Sequence, residues 1–297
     1  MAVGDIMLGW EVGRRILDKG PASPWSRVQD YLDRADLVVG NLECVISIGG
    51  DPWPGKRIHL RAPSRAADSL AAAGFDVVSV ANNHALDFGL VAFADTLQAL
   101  DTNSVLHVGG GANENAARAP VVITRNGLRI AFLAYVLPFA SRPSFSTREW
   151  AAGANRAGLA LGTPAAVRQD VASARQRADV VVVMVHGGTE YRSRPIAAQR
   201  NIAQAALDAG ASLVLGAHPH VLQGYARRGN TLVAFSLGNF VFARFEGAAN
   251  DTAILDVTLT PNGVAAASWI PLVIEGGVPR PAVGEEIDRV MRRLPAL

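Results

Sequence analysis

The stretch Val180-Val181-Val182-Val183-Met184-Val185-His186-Gly187-Gly188-Thr189-Glu190 decides how this chain is read. Its apolar run has the length of a single strand and is far too short to cross a membrane. It runs directly into a histidine, with a glutamate four residues further on. A continuous apolar run of this kind marks a strand covered on both faces, as in a parallel sheet packed between helices. The flanks agree. Pro164 to Ala178 and Pro195 to Ala209 read as helices, each with proline at its opening turn.

Working outward, the same arrangement recurs. Val3 leads into Gly4-Asp5, Leu37 to Gly40 into Asn41-Leu42-Glu43, Val77 to Val80 into Ala81-Asn82-Asn83-His84, and Leu213 to Gly216 into Ala217-His218-Pro219-His220. In an open α/β sheet, ligands bind outside the carboxyl ends of the strands. Parallel neighbours would therefore gather these groups on one rim. Four of the six histidines belong to this set, with Asp5, Glu43 and Glu190. Imidazole mixed with carboxylate suits Zn, Mn or Fe better than Ca or Mg. Such a set has the chemistry to hold one or two ions about 3.5–4 Å apart and to activate a water.

The rest of the chain continues the alternation of an α/β fold. Trp25 to Ala35, Ser64 to Ala73 and Gly89 to Leu100 read as helices, and Gly284 to Leu294 as a terminal helix. Asn126-Gly127, inside Val121 to Tyr135, signals a hairpin. From Val221 the pattern turns to strands, at Leu222–Arg227, Leu232–Phe235, Ala253–Thr260 and Ala265–Ile270, with Pro261-Asn262-Gly263 as a second hairpin turn. Val45 to Arg61 and Leu137 to Gly158 fit no element; their arginine and aromatic content suggests lids over the site. His59 and His107 read as structural, and Cys44 as a small apolar filler.

Composition narrows the class. Of 297 residues, 49% are hydrophobic and 18% charged, which excludes a disordered chain or a coiled coil. The single cysteine excludes a disulfide framework. Of the 28 cationic residues only Lys19 and Lys56 are lysine, and the arginines are scattered rather than gathered into a nucleic-acid face. No apolar run is long enough for a transmembrane segment. Met1-Ala2-Val3 is short for a buried strand and carries no basic export region, so the expected location is cytoplasmic as written, or exported if a signal precedes Met1.

Gly4-Asp5-Ile6-Met7, Asn41-Leu42-Glu43, Ala81-Asn82-Asn83-His84 with Asp87 and Gly89, His186-Gly-Gly-Thr-Glu190-Tyr191, Gly216-Ala-His218-Pro-His220-Val-Leu-Gln223 and Ser236-Leu-Gly-Asn239-Phe resemble the CapA family of capsule and poly-γ-glutamate biosynthesis. That family is similar in fold to calcineurin-like metallophosphoesterases. The resemblance is strongest over residues 1–245 and implies a single domain over 1–297, with residues 250–297 adding a hairpin and terminal helix. It implies a four-layer αββα sandwich, two mixed β-sheets flanked by helices. It also implies metal ligands at Asp5, Glu43, Asn83, His186, His218 and His220, with Asn41 and Glu43 both open for the bridging position. Catalytic roles fall to His84, Glu190, His186 and Asp5, and substrate contacts to Asn41, Asn82, Arg57, Tyr191 and Asn239.

The sequence departs from the pattern in three places. Met7 stands where a phosphoesterase has histidine, Gly187 where the family often has tryptophan, and Trp10 where an arginine is common. The leading expectation is a metal-dependent enzyme acting on a peptide-like or poly-γ-glutamate-type substrate by amide hydrolysis or transfer. The alternatives are a cofactor-independent peptide epimerase working by α-proton abstraction, a phosphoesterase, and a non-catalytic subunit of a capsule complex.

Overall fold

The computed structural model describes residues 1–139 and 145–297. Arg142, expected in the second lid, lies outside the described residues.

Two sheets face each other. The first orders its strands as Val278–Pro281, Gly263–Glu275, Asp251–Thr260, Ala2–Ile6, Val39–Leu42, Val77–Ser79 and Leu106–Val108, with Asn239–Val241 pairing in parallel to Ala2–Ile6. The second runs Tyr225–Arg228, Thr231–Ala234, Leu213–Ala217, Val180–His186, Leu128–Val136 and Val121–Arg125. Each sheet is mixed: the first is parallel from Ala2–Ile6 to its edge at Leu106–Val108 and antiparallel on the other side, and the second has a parallel centre with antiparallel margins.

The opening stretch shows why the layers form. Along a strand, alternate side chains point to opposite faces. Val181, Val183 and Val185 face outward and pack against Val167, Val171, Ile202 and Ala206 of the helices Pro164–Arg175 and Ala197–Asp208. Val180, Val182 and Met184 face inward and share one core with Val3, Val39 and Val78 of the first sheet. Burying both faces of a valine-rich strand is the main stabilisation here, at about 1.5–3 kcal/mol per side chain. By the same alternation His186 follows Met184 onto the inner face. The chemistry therefore sits between the sheets, at their carboxyl ends.

Several expectations are corrected. The five strand ends do not lie along one sheet: those carrying Asp5, Glu43 and His84 belong to the first, those carrying His186 and His218 to the second. They converge because the sheets are stacked. The first strand is not short; it runs through the motif itself, Ala2–Ile6, pairing Asp5 with Asn41 on one side and Asn239 on the other. Gly4 permits this, since a Cβ there would stand 1.9 Å from the Gly238 carbonyl oxygen. Trp25 to Ala35 is not a continuous helix. Three-residue turns (Val28 to Trp25, Tyr31 to Val28) replace it, and only Gln29–Leu32 is helical. Trp25 is fully buried and donates its indole N–H to the Ser69 carbonyl at 2.8 Å, which fixes the chain where a helix would carry it away.

The helix Trp10–Lys19 and the strands Asn239–Val241 and Val278–Pro281 were not foreseen. The strand placed at Leu222–Arg227 begins later, at Tyr225–Arg228. The C-terminal hairpin and the terminal helix Glu285–Met291 are present, and Asp251, almost fully buried, pairs with Arg289 and Arg293 to hold that helix down. Among the described residues, no helix is long and apolar enough to cross a membrane.

Candidate metal centre

Asp5, Asn41, Glu43, Asn82, Asn83, His84, His186, His218, His220 and Asn239 are all buried and come together at the carboxyl ends of the two sheets. At the middle stands Glu43, fully buried, with neither carboxyl oxygen meeting a hydrogen-bond donor among the described residues. Three imidazoles aim Nε2 at its Oε1: His186 at 3.6 Å, His84 at 3.9 Å and His220 at 4.0 Å. These separations are too long for hydrogen bonds. They suit ligand atoms that share an ion at about 2.0–2.2 Å each. Glu43, His186 and His218 form one group of ligand atoms within 4.8 Å of one another, and Asp5, Glu43 and His220 form a second. Glu43 is common to both.

The choice between Asn41 and Glu43 left open by sequence becomes a question of which side chain is already engaged. Asn41 Nδ2 donates to Asp5 Oδ1 at 2.8 Å and lies 3.1 Å from His186 Nδ1, while its Oδ1 accepts from Asn82 Nδ2 at 3.2 Å. Asn82 also donates to the Leu42 carbonyl at 2.7 Å. Asn239 donates to the Ala249 carbonyl, which leaves its Oδ1 2.9 Å from His220 Nδ1. That contact turns His220 Nε2 toward Glu43. Asn41, Asn82 and Asn239 thus stand behind the candidate ligands and orient them, as outer partners do in metal sites. Asn83 Oδ1 faces His186 Nε2 at 2.7 Å.

Burial sets the charge states. It holds His218 down to about 3 and His84 to about 4, and it pushes His186 well below the imidazole range, with its neighbouring histidines adding to the effect. Burial acts the same way on His220, but hydrogen bonding to Asp5 and the Asp5 charge outweigh it and hold this histidine above its ordinary value. Burial, with Asp5 beside it, raises Glu43 well above the carboxylate range. Three imidazoles held neutral, those of His84, His186 and His218, beside a carboxylate that meets no donor among the described residues fit a divalent metal, which needs deprotonated donors.

The backbone is strained here. Trp10, Tyr191, His218, His220 and Arg244 all have positive φ without being glycine. Such conformations cost of order 1–3 kcal/mol each and gather where function over-determines the geometry. Trp10 and Arg244 belong to the rim: the Arg244 guanidinium lies 4.4 Å from the Trp10 ring, which in turn meets Phe242. Phe242 and Phe245 stand 5.3 and 4.9 Å from His220. Phe139 covers His218 at 5.1 Å. Tyr191 and Glu190 are exposed at this mouth, and Arg57 is exposed on the first loop. Leu137 occupies the space beside Gly187, where a Cβ would lie 2.6 Å from it. Met7 is buried and its sulfur accepts the Gly9 N–H at 3.1 Å. Cys44 is buried, and its thiol is pushed up to about 12 by burial. His59 contacts the Trp53 carbonyl and His107 pairs with Asp101, both away from the cluster.

Sequence reasoning missed Lys56. Its ammonium is buried against Asp87, the Asn83 carbonyl and His84. The available signal was its rarity, as one of two lysines in the chain, within a loop that also carries Trp53.

Two facing mixed sheets, helices outside, and histidines and carboxylates at the inner carboxyl edge define a calcineurin-like metallophosphoesterase fold. Within that class the chain belongs to the bacterial capsule synthesis protein PGA_cap family, which it matches over residues 1–244. It is 32% identical to the capsule biosynthesis protein CapA of Bacillus anthracis, over 98% of this chain and 71% of that protein. Identity is also 32% to the PGA biosynthesis protein CapA of Bacillus subtilis, over 97% of this chain and 74% of the relative. A Mycobacterium tuberculosis protein described as "Probable polyglutamine synthesis accessory protein" is 29% identical over 74% of this chain and 60% of its own length. In fold, the chain is similar to a Staphylococcus aureus structure described as "Putative 5'-Nucleotidase", with a TM-score of 0.53 at 14% identity. That match covers 96% of this chain but about half, 52%, of the other.

Proposed function

We propose that this chain is a metal-dependent enzyme acting on a peptide-like, poly-γ-glutamate-type substrate, hydrolysing or transferring an amide. The observation that carries the proposal is Glu43, a buried carboxylate without a donor, ringed by three imidazole nitrogens. The substrate class rests on the relatives, whose names refer to capsule, PGA and polyglutamine synthesis. The proposed ligands are Asp5, Glu43 and Asn83 with His186, His218 and His220, Glu43 being shared between two positions. The fit favours Zn, Mn or Fe.

Such an ion supplies Lewis acidity toward a carbonyl and makes water acidic enough to be deprotonated near neutral pH. The chain's own residues do the rest. His84 donates its Nδ1–H to the Asp87 carboxylate, 2.6 Å away, so its Nε2 faces the site and is placed to move a proton to or from the reacting amide. Glu190, exposed at the mouth, is a second proton carrier. Arg57 and Tyr191 present a cation and a phenol to arriving substrate, and Phe242, Phe245 and Phe139 limit water at the histidines. The phosphoesterase reading is weaker, because Met7 offers no nitrogen at the first motif and its sulfur is already engaged.

The test is incubation of the Mn²⁺-loaded protein with poly-γ-glutamate, γ-glutamyl peptides and p-nitrophenyl phosphate in deuterated water. Amide cleavage or transfer supports the proposal. Phosphate release alone, or α-deuterium uptake without cleavage, replaces it with the phosphoesterase or epimerase reading. No turnover of any substrate favours the non-catalytic subunit.

A further inference from the structure

Lys56 sits on the Val45–Arg61 loop with its side chain only 6% exposed, whereas Lys19 is exposed on its helix. Burying an ammonium is costly unless it is fully paired. Elsewhere this chain relies almost wholly on arginine for positive charge. A compact, flexible point charge fits a narrow polar niche where a planar fork does not.

The partners of that charge come from two segments, residues 83–87 and 145–150. Lys56 Nζ donates to the Asn83 carbonyl and to Asp87 Oδ1, and it lies 3.1 Å from His84 Nδ1. Across from these it faces two aromatic rings of the second loop, Phe145 at 5.1 Å and Trp150 at 4.9 Å. Trp53 of the first loop meets Trp150 edge-on at 5.4 Å. Asp87 is held from the first loop through its other oxygen, which takes the Leu60 N–H at 2.6 Å, and its carbonyl accepts from Trp53 N at 2.7 Å.

We propose that Lys56 is a positioning residue that ties both loops to the Asn83-His84-Asp87 turn, so that the order of the loops and of the metal-facing side chains is set together. Neutralising Asp87 is too small a role for these contacts. Oδ2 of Asp87 already receives two donors, and neither the Asn83 carbonyl nor the rings of Phe145 and Trp150 call for a counter-ion. By holding the Asn83 carbonyl, Lys56 fixes the backbone from which Asn83 Oδ1 reaches His186. By resting on Phe145 and Trp150, it makes the placement of that turn depend on the second loop. The affinity arm of the test below rests on the metal-site proposal above; the exchange arm does not.

The test is a double-mutant cycle on Mn²⁺ affinity by titration calorimetry, using Lys56→Met, Phe145→Leu and the double variant, with hydrogen exchange on residues 83–87. Phe145→Leu removes a ring face and leaves no charge unpaired, so it reports even if Lys56→Met fails to fold. The expected result is weaker Mn²⁺ binding by Phe145→Leu, of roughly threefold or more, with faster exchange at 83–87. Lys56→Met weakens binding further, and the double variant binds no more weakly than Lys56→Met alone. Wild-type affinity and exchange in Phe145→Leu, or losses that multiply in the double variant, overturn the proposal. If the wild-type protein binds no Mn²⁺, the metal reading fails, while exchange at 83–87 in Phe145→Leu still decides for or against the tie.

Discussion

His84 Nδ1 lies 2.6 Å from Asp87 Oδ2, and the same carboxylate receives the buried Lys56 ammonium through its other oxygen. Asp87 therefore anchors a proton carrier and a cation at once. Asp87→Asn leaves that cation buried without its counter-charge, and the expected loss is about 3–5 kcal/mol of stability. Adding Lys56→Met restores a large part of it. Urea denaturation of the two variants checks both statements; equal midpoints for Asp87→Asn and wild type would refute the first.

Glu43 carries a cost that runs the other way. Its carboxyl is buried and lacks a donor, and burial beside Asp5 disfavours its ionised form. Glu43→Gln removes the charge at nearly constant volume. In chelator the variant is expected to be more stable than wild type at pH 7 by about 1–3 kcal/mol. Denaturation in EDTA measures this, and a destabilised variant would show that Glu43 has a cationic partner within the protein itself.

The metal-free protein is expected to lose stability in mild acid. His84, His186 and His218 are held below the usual imidazole range, to about 4 for His84 and about 3 for His218. Below about pH 6.5 the unfolded chain binds those protons and the native chain does not. Stability is thus fully present above pH 6.5 and falls as pH drops toward the native values, by at most about 2 kcal/mol per histidine at pH 5. His220 and Glu43, both held above their ordinary values, bind protons more readily in the native chain and oppose this in part. Denaturation midpoints in EDTA at pH 7, 6 and 5 should decline, and less steeply in His218→Asn.

Asp251 fastens the terminal helix through Arg289 and Arg293. Asp251→Asn is expected to cost about 1–3 kcal/mol and to expose Arg289, Arg292 and Arg293 to trypsin, with cleavage confined at first to residues 289–293. Cleavage that begins elsewhere would place the weakest part of the fold in another element.

Much of this was legible in the sequence where local pattern and tertiary role coincide. Val180–His186 is apolar on both faces because both faces are covered, and its histidine falls on the inner face by simple alternation. The convergence of Asp5, Glu43, His84, His186, His218 and His220 was likewise written at the strand ends. The rest depended on contacts that no local pattern encodes. Trp25 breaks a helical periodicity because Ser69, 44 residues away, accepts its indole N–H. Asn41 and Glu43 look equivalent two residues apart, and only the placement of Asp5, Asn82 and His186 shows that one is engaged and the other is not. Lys56 carries no local pattern beyond its rarity, because its partners come from two distant segments, residues 83–87 and 145–150.

The central claim is that Glu43 and the histidines around it hold divalent metal. Metal content per chain by inductively coupled plasma mass spectrometry, after loading with Mn²⁺ or Zn²⁺ and desalting, tests it most directly. The account predicts one or two ions per chain in the wild type, as expected of such sites, and loss of most of that metal in Glu43→Gln. Metal-free wild-type protein, or a Glu43→Gln variant that retains the full complement, would contradict it.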